Sequence, residues 1–284
     1  MDGFIFLDKK AGVTSREAAR PLVDIFHTKK MGHVGTLDPF ATGLLIIGVN
    51  KGTKGITFFD DFTKEYVATI KLGEATDTMD LTGKVVEVKD VPALSSDNVK
   101  DVLNSFLGKS KQLPPMTSAI SVDGKKLYKL AHQGKEVDRP LRDIEVLEIE
   151  LLSFKDNEIT FRALASKGTY IRVLGSDIAR KLNTVGHLIA LRRTIVGPFD
   201  VGSATEIEKI NDKSLKSSYE VLSKFSEVVS YDDSKIEDIK NGKIKYLEYN
   251  SDSKNLLVVN KNNDVIAMYR IIEKGKYEFI RGLF

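Results

Sequence analysis

A carboxylate on an irregular loop offers the clearest chemistry in this chain. Asp38 lies within residues 32–43, G-H-V-G-T-L-D-P-F-A-T-G. Three glycines, one proline and two threonines in twelve residues exclude a regular helix or strand. Glycine permits positive φ and close backbone approach, and Pro39 fixes its own φ and drives Asp38 out of the α region. The basic residues His27, Lys29 and Lys30 come just before, and the apolar run L-L-I-I-G-V follows at 44–49. A carboxylate held rigidly in this way can serve as a covalent catalyst. Other chemistries lack their parts. The absence of cysteine excludes thiol catalysis, disulfides and cysteine metal sites. The four histidines, His27, His33, His132 and His187, show no ligand spacing, and no nucleotide-binding glycine motif occurs. No cofactor and no metal are expected.

Three further stretches carry candidate groups. Tyr66 stands in K-E-Y-V-A-T-I-K-L-G (64–73), on the face shared by Ala68, Ile70 and Leu72. It is followed by the polar run E-A-T-D-T-M-D-L-T-G (74–83). The segment S-K-G-T-Y-I-R (166–172) lies between an alternating strand pattern and a helical one, a junction able to aim side chains into a cleft. G-H-L-I-A-L-R-R-T (186–194) ends the informative region.

The loop at 32–43 resembles the catalytic loop of the bacterial tRNA pseudouridine synthase B family, G-H-x-G-T-L-D-P-x-x-x-G. The resemblance extends in order through K-x-Y and T-D-T-x-D-x-x-G (64–83), P-P-x-x-S-A with G-x-x-x-Y-x-x-A-x-x-G (114–134), S-K-G-T-Y-I-R and H-x-x-x-L-R-R (187–193). It covers roughly residues 3–225. It implies that Asp38 is the catalytic aspartate, acting on either the sugar or the base ring. It implies that Arg172 keeps Asp38 ionised, that Tyr66 stacks on the uracil and takes a proton, that Leu191 packs on the base and that Tyr170 lines the pocket. His33 would fill the gap left by a flipped base, Asp80 would order the loops, and Lys167 would contact the substrate. Lys125, Lys126 and Arg139 would act as a group in an RNA-gripping insertion at about 110–142. The implied reaction turns uridine into pseudouridine at position 55, in the T loop of tRNA.

Several elements must position these groups. Residues 3–8 read as a strand, and Thr14 with Glu17 has capping-box spacing before a helix that Pro21 either kinks or makes start later. Strands are expected at 44–49, 64–73 and 84–88. A helix is expected at 97–107, with Ser96 as N-cap and Gly108 as stop. Residues 144–154 and 159–165 alternate as a hairpin, and a helix should open near Ile171, with Ile171, Leu174, Ile178 and Leu182 on one face. Residues 203–222 read as a helical connector. Beyond Phe225, a short helix at 237–242 and strands at 255–259, 265–272 and 277–281 suggest a small β-rich module. The expected fold is α+β: a pseudouridine synthase fold with a central mixed sheet flanked by helices in residues 1–225, plus a PUA-like module in 226–284.

The chain has 284 residues, with enough apolar content, 42%, for a sizeable core. No apolar run of membrane-spanning length and no signal-peptide pattern occur, so a cytoplasmic location away from membranes is expected. The net charge of +3 lies wholly in residues 1–225, because 226–284 hold ten Lys+Arg and ten Asp+Glu. Residues 121–142 carry six Lys+Arg against three acids, where phosphates could be met. The expected partner is the tRNA T stem-loop, bound by a monomer without an obligatory protein partner. Two other functions stay open: a non-catalytic tRNA-folding chaperone and a guide-RNA-dependent pseudouridine synthase.

Overall fold

The computed structural model describes residues 2–284 apart from 119–120, 123–124, 128–129, 131–132 and 134–136. For 121, 122, 125 and 126 it describes the backbone alone. The motif positions Gly124, Tyr128, Ala131 and Gly134 therefore lie outside the described residues, as do the side chains of Lys125 and Lys126.

Apolar strands build one large mixed sheet. In chain order its members are β1 (Gly3–Lys9), β2 (Met31–His33), β3 (Thr42–Val49) and β4 (Lys64–Leu72). A side ribbon follows, β5 (Glu74–Thr76) with β6 (Val85–Val88). Next come β7 (Gly108–Gln112), the short pair β8 (Ser121–Val122) and β9 (Lys125–Lys126), then β10 (Arg142–Lys155), β11 (Glu158–Ala165), β12 (Gly186–Val196), β13 (Phe199–Asp200) and β14 (Lys216–Ser217). The hydrogen-bonded order is β14-β1-β3-β12-β4-β11-β10-β7, with β13 on β12 and β2 on β3. Antiparallel pairing dominates, and β12 meets β3 in parallel at Arg192–Thr42 and Arg193–Gly43. One face of β3 and β1 packs with Leu22, Phe40, Ile70 and Ile178 in the main core.

The helices differ from the sequence pattern in instructive ways. Thr14 caps Ser15–Ala19 through a capping box with Glu17, and the helix stops before Pro21 and restarts as Leu22–Ile25. The amphipathic helix runs Ser96–Asn104, and its cap is Ser95, paired with Asn98, rather than Ser96. Asn98 reaches back to the Ser95 backbone, a partner that Ser96 would not have. Gly108, expected as a stop, begins β7 at φ +91°. The helix Ile171–Lys181 buries Ile171, Leu174 and Ile178, as its spacing predicts. The connector at 203–222 is mostly short 3-10 turns, with α-helix only at Ser218–Leu222.

Residues beyond 226 form a second sheet from β15 (Glu227–Ser230), β16 (Tyr246–Glu248), β17 (Asn255–Val259), β18 (Val265–Glu273) and β19 (Lys276–Gly282), ordered β15-β17-β18-β19-β16. The helix Asp233–Lys240 lies over it. This sheet shares a core with the larger one: Leu257, Val259, Met268 and Leu283 pack with Phe4, Phe6, Leu44 and Phe59. No helix among the described residues is long and apolar enough to cross a membrane.

Candidate active site

The Asp38 loop is hung between two strands and tied down by buried side chains. Met31–His33 pairs with the C-terminal half of β3, so the first residues of the glycine-rich run are strand rather than loop. The chain then leaves the sheet and returns at Thr42. Lys9, at the end of β1 and 1% exposed, points its ammonium into the loop. Its Nζ donates to the carbonyls of Ala41 (2.7 Å), Lys10 (3.0 Å), Pro39 (3.1 Å) and Asp38 (3.2 Å). Ser15 Oγ accepts from Leu37 N (2.9 Å) and donates to Leu37 O (3.0 Å). Arg193, 1% exposed, holds the other side, donating from Nε to Leu44 O (2.8 Å) and from Nη2 to Gly35 O (3.1 Å). Gly43 sits at φ +100°, and a Cβ there would lie 2.2 Å from Arg193 O. Only glycine lets the loop rejoin the sheet beside β12.

Asp38 faces Arg172 in a two-point pair. Arg172 Nε meets Oδ2 at 2.9 Å and Nη2 donates to Oδ1 at 3.1 Å. A fork of this kind fixes the carboxylate in angle as well as place. The guanidinium is itself immobilised: Nη1 donates to Thr78 O (2.8 Å) and Thr117 Oγ1 (2.7 Å), and Nη2 to Thr117 O (3.0 Å). Asp80 Oδ2 stands 3.5 Å from Nη1. Asp80 is held by Thr78 Oγ1 at 2.8 Å and by the Thr82 backbone at 2.9 Å. Arg172 follows Tyr170, whose backbone N accepts no freedom: it donates to Gln112 Oε1 (2.8 Å) while Gln112 Nε2 donates to Tyr170 O (3.1 Å). Gln112 so pins the start of the helix that aims Arg172.

The charges here oppose one another. Burial pushes the Asp38 carboxyl above its ordinary value; Arg172 pulls it down, Asp80 pushes it up and Lys9 pulls it down. Arg172 favours the ionised carboxylate, and burial opposes it more strongly. Burial also brings Lys9 down to about 8, opposed by Asp38 and reinforced by Arg193. Burial lowers His33, with Arg193 adding to it, and raises the Tyr170 phenol.

The structure therefore brings Asp38, Arg172 and Asp80 into direct contact. Tyr170 lies near enough to feel the charges of Asp38 and Arg172. Tyr66 is the cross-strand partner of Arg193, whose side chain reaches the loop. Leu191, 7% exposed, packs in the cluster that holds Leu37, Phe40 and Ala41. His33 Nε2 is 3.3 Å from Thr36 Oγ1 on the same loop. Lys167 is drawn to Asp61 at 2.6 Å, and Arg139 donates to Pro114 O at 3.1 Å. Arg139 lines a cavity of about 210 Å³ with Met79, Pro115 and Asp177, and Asp38 does not line it. Lys9, Ser15, Arg193 and Thr117 are parts that sequence reasoning missed. A lysine closing the strand G-F-I-F-L-D-K was the available signal for Lys9.

A chain of this sequence and fold has counterparts among known proteins. Residues 23–171 match the family model for the N-terminal domain of TruB family pseudouridylate synthases. The chain is 46% identical over 212 residues to tRNA pseudouridine synthase B of Geobacter sulfurreducens, covering 75% of this chain and 70% of that protein. It is 43% identical over 212 residues to the protein of the same name from Bordetella avium, covering 74% and 87%. A solved Cbf5–Nop10–Gar1 complex contains a chain with the same fold, at TM-score 0.75 and 22% identity, covering 99% of this chain and 85% of that one. The chain belongs to the TruB family and is a pseudouridine synthase, an isomerase.

Proposed function

We propose that this enzyme isomerises a uridine in the T loop of tRNA, position 55 by tRNA convention. The two-point pairing of Asp38 with Arg172 carries the reading, in a family whose relatives bear the name tRNA pseudouridine synthase B. The reaction breaks the bond between ribose C1′ and uracil N1, turns the base and joins C1′ to C5. The C5 proton leaves and N1 takes one up, so no oxidant, reductant or energy source is consumed. Asp38 is the covalent catalyst in its ionised form, and Arg172 opposes the burial that would keep it protonated. Tyr66 stacks on the uracil and receives the proton, Leu191 packs on the base, and Tyr170 lines the pocket. A base in a folded loop must first be flipped out, at a cost of a few kcal/mol, and His33 fills its place.

Recognition rests on stem-loop shape and phosphates, with Lys125, Lys126 and Arg139 of the insertion at about 110–142 as the gripping group. Residues 1–225 form the catalytic domain and 226–284 a small PUA-like module. The protein acts in the cytoplasm as a monomer without a protein partner. The test is tritium release from unmodified tRNA labelled at uridine C5, with wild type and Asp38→Asn, followed by mapping of the modified position. Wild type should release tritium and modify the T loop; Asp38→Asn should bind tRNA nearly as well and release none. Release by Asp38→Asn would falsify the role of Asp38. Binding by wild type without release would favour the folding chaperone or the guide-dependent synthase.

A further inference from the structure

A second group of charges lies where the two sheets meet. Asp61 accepts Lys167 at 2.6 Å and Lys254 at 3.2 Å, and Arg270 Nη1 stands 3.7 Å away. Lys167 follows β11, whereas Lys254 and Arg270 belong to the terminal sheet, Arg270 pairing with Asn255. Lys64 completes the group. It pairs with Ala165 across β4 and β11, and its Nζ donates to Phe62 O at 2.7 Å and Asp60 O at 3.3 Å. Lys64 is lowered to about 8, chiefly by burial and also by Arg193 and Lys167, against the pull of Asp60 and Asp61. The lysine hydrogen bonds hold Asp61 down at about 2. Arg270 Nε is buried and meets no acceptor among the described residues.

Three cations thus converge on Asp61, Lys64 stands near enough to feel its charge, and one donor lacks a partner. Like charges held together repel unless an anion joins them. The group is also joined to the candidate site through β4. Lys64 precedes Tyr66 by two residues, so the two share a face of β4, about 7 Å apart along the strand. The Lys167 and Lys254 side chains are 63% and 59% exposed, open to a ligand.

We propose that this seam binds a backbone phosphate of the RNA substrate, with Asp61 standing in for that phosphate in the free protein. The proposal rests on the reading that the substrate is RNA. It gives the electrically neutral terminal segment a defined part in binding: two of its ten cations are brought across to the catalytic sheet. Asp61 gathers the cations but also competes for them, so removing its charge and removing theirs have opposite effects. A seam that only joined the two sheets would lose in both cases.

The experiment measures binding of an unmodified tRNA transcript between about 50 and 300 mM salt. It compares wild type, the Lys254→Ala/Arg270→Ala double variant and Asp61→Asn. Each phosphate contact adds about 0.7–0.9 to the slope of log affinity against log salt. The double variant should bind about tenfold more weakly at the low-salt end, with a slope smaller by about that amount. Asp61→Asn should bind about two- to fivefold more tightly, from the loss of one repelling charge. Wild-type affinity and slope in the double variant, or Asp61→Asn binding no better than wild type, would overturn the proposal. Thermal melts run alongside. If either variant fails to fold, Lys254→Ala alone carries the slope test, since its exposed side chain reaches Asp61 from the surface. Tritium release by the same wild-type preparation separates the two readings. No release refutes the function, while release with an unchanged slope in the variants refutes only the phosphate seam.

Discussion

Replacing Arg172 with glutamine tests the centre of the site. The side chain is 3% exposed and supplies both contacts to Asp38 as well as the cation beside Asp80. Glutamine leaves the Asp80 carboxylate, 5% exposed, and the Asp38 carboxylate, 32% exposed, without the cation that joins them. Breaking a buried pair from one side costs about 3–5 kcal/mol, mostly because the remaining charge is uncompensated. If that loss is felt at the reacting carboxylate, the rate falls by about two to four decades. The pH dependence gives a second signature. Burial already lifts Asp38 above its ordinary value, and Arg172 is the largest influence pulling it down. Without Arg172 the carboxyl titrates higher still, so less of it is ionised at neutral pH. The acid limb of the pH–rate profile should therefore move to higher pH, with part of the lost rate recovered in alkaline buffer. Single-turnover tritium release across the pH range, at a temperature where melting shows the variant folded, measures both effects. A rate within about threefold of wild type, or an acid limb that does not move, would refute the reasoning.

Other parts of the loop can be tested through stability. Lys9 titrates at about 8 in the folded protein against 10.5 for an ordinary lysine. The unfolded chain therefore holds the extra proton between these values, and the Lys9 contribution to stability rises with pH across that window, by about 3 kcal/mol in all. In Lys9→Met that rise should be missing from urea unfolding midpoints measured at successive pH values; an identical pH dependence in variant and wild type would count against it. Ser15→Ala strands the buried Leu37 N–H and C=O, which should cost about 2–3 kcal/mol in urea unfolding, and a change under about 0.5 kcal/mol would mean that water replaces the hydroxyl. Gly43→Ala places a methyl against Arg193 O at a φ that suits glycine, so a drop of at least about 3 kcal/mol or failure to fold is expected; an unchanged melting temperature would show that the loop can shift.

Asp38, Asp80 and Arg172 were legible because each lies in a short run whose residue types and order are distinctive. Lys9 and Arg193 were not. Apart from Lys10 O, they bind backbone carbonyls 29 to 159 residues away, and a carbonyl leaves no mark on residue type. The dominance of burial at Asp38 was also hidden, because desolvation comes from everything packed around the loop. β12 has no clean alternation, since residues on both of its faces are buried in the middle of the sheet. The small terminal sheet showed three strands in its apolar runs, while β15 and β16 are short and β16 is mostly exposed, so they left no pattern.

The position of β12 has a consequence for how the chain reaches this state. It is the strand between β3 and β4, joining the β1–β3 portion to the β4–β11–β10–β7 portion. On a ribosome both portions emerge before it does. Until residues 186–196 arrive, β4 presents an unpaired edge, and β3 one that only β2 covers, at its C-terminal half; such edges recruit strands from other chains. Closing the gap brings together residues about 120–150 apart in sequence, as in the pairs Leu191–Ala68 and Arg193–Gly43. The same closure places Arg193 on the loop that bears Asp38. A nascent chain should therefore be inactive and prone to association until this strand inserts, and activity should appear together with protection of the β3 and β4 amides from exchange.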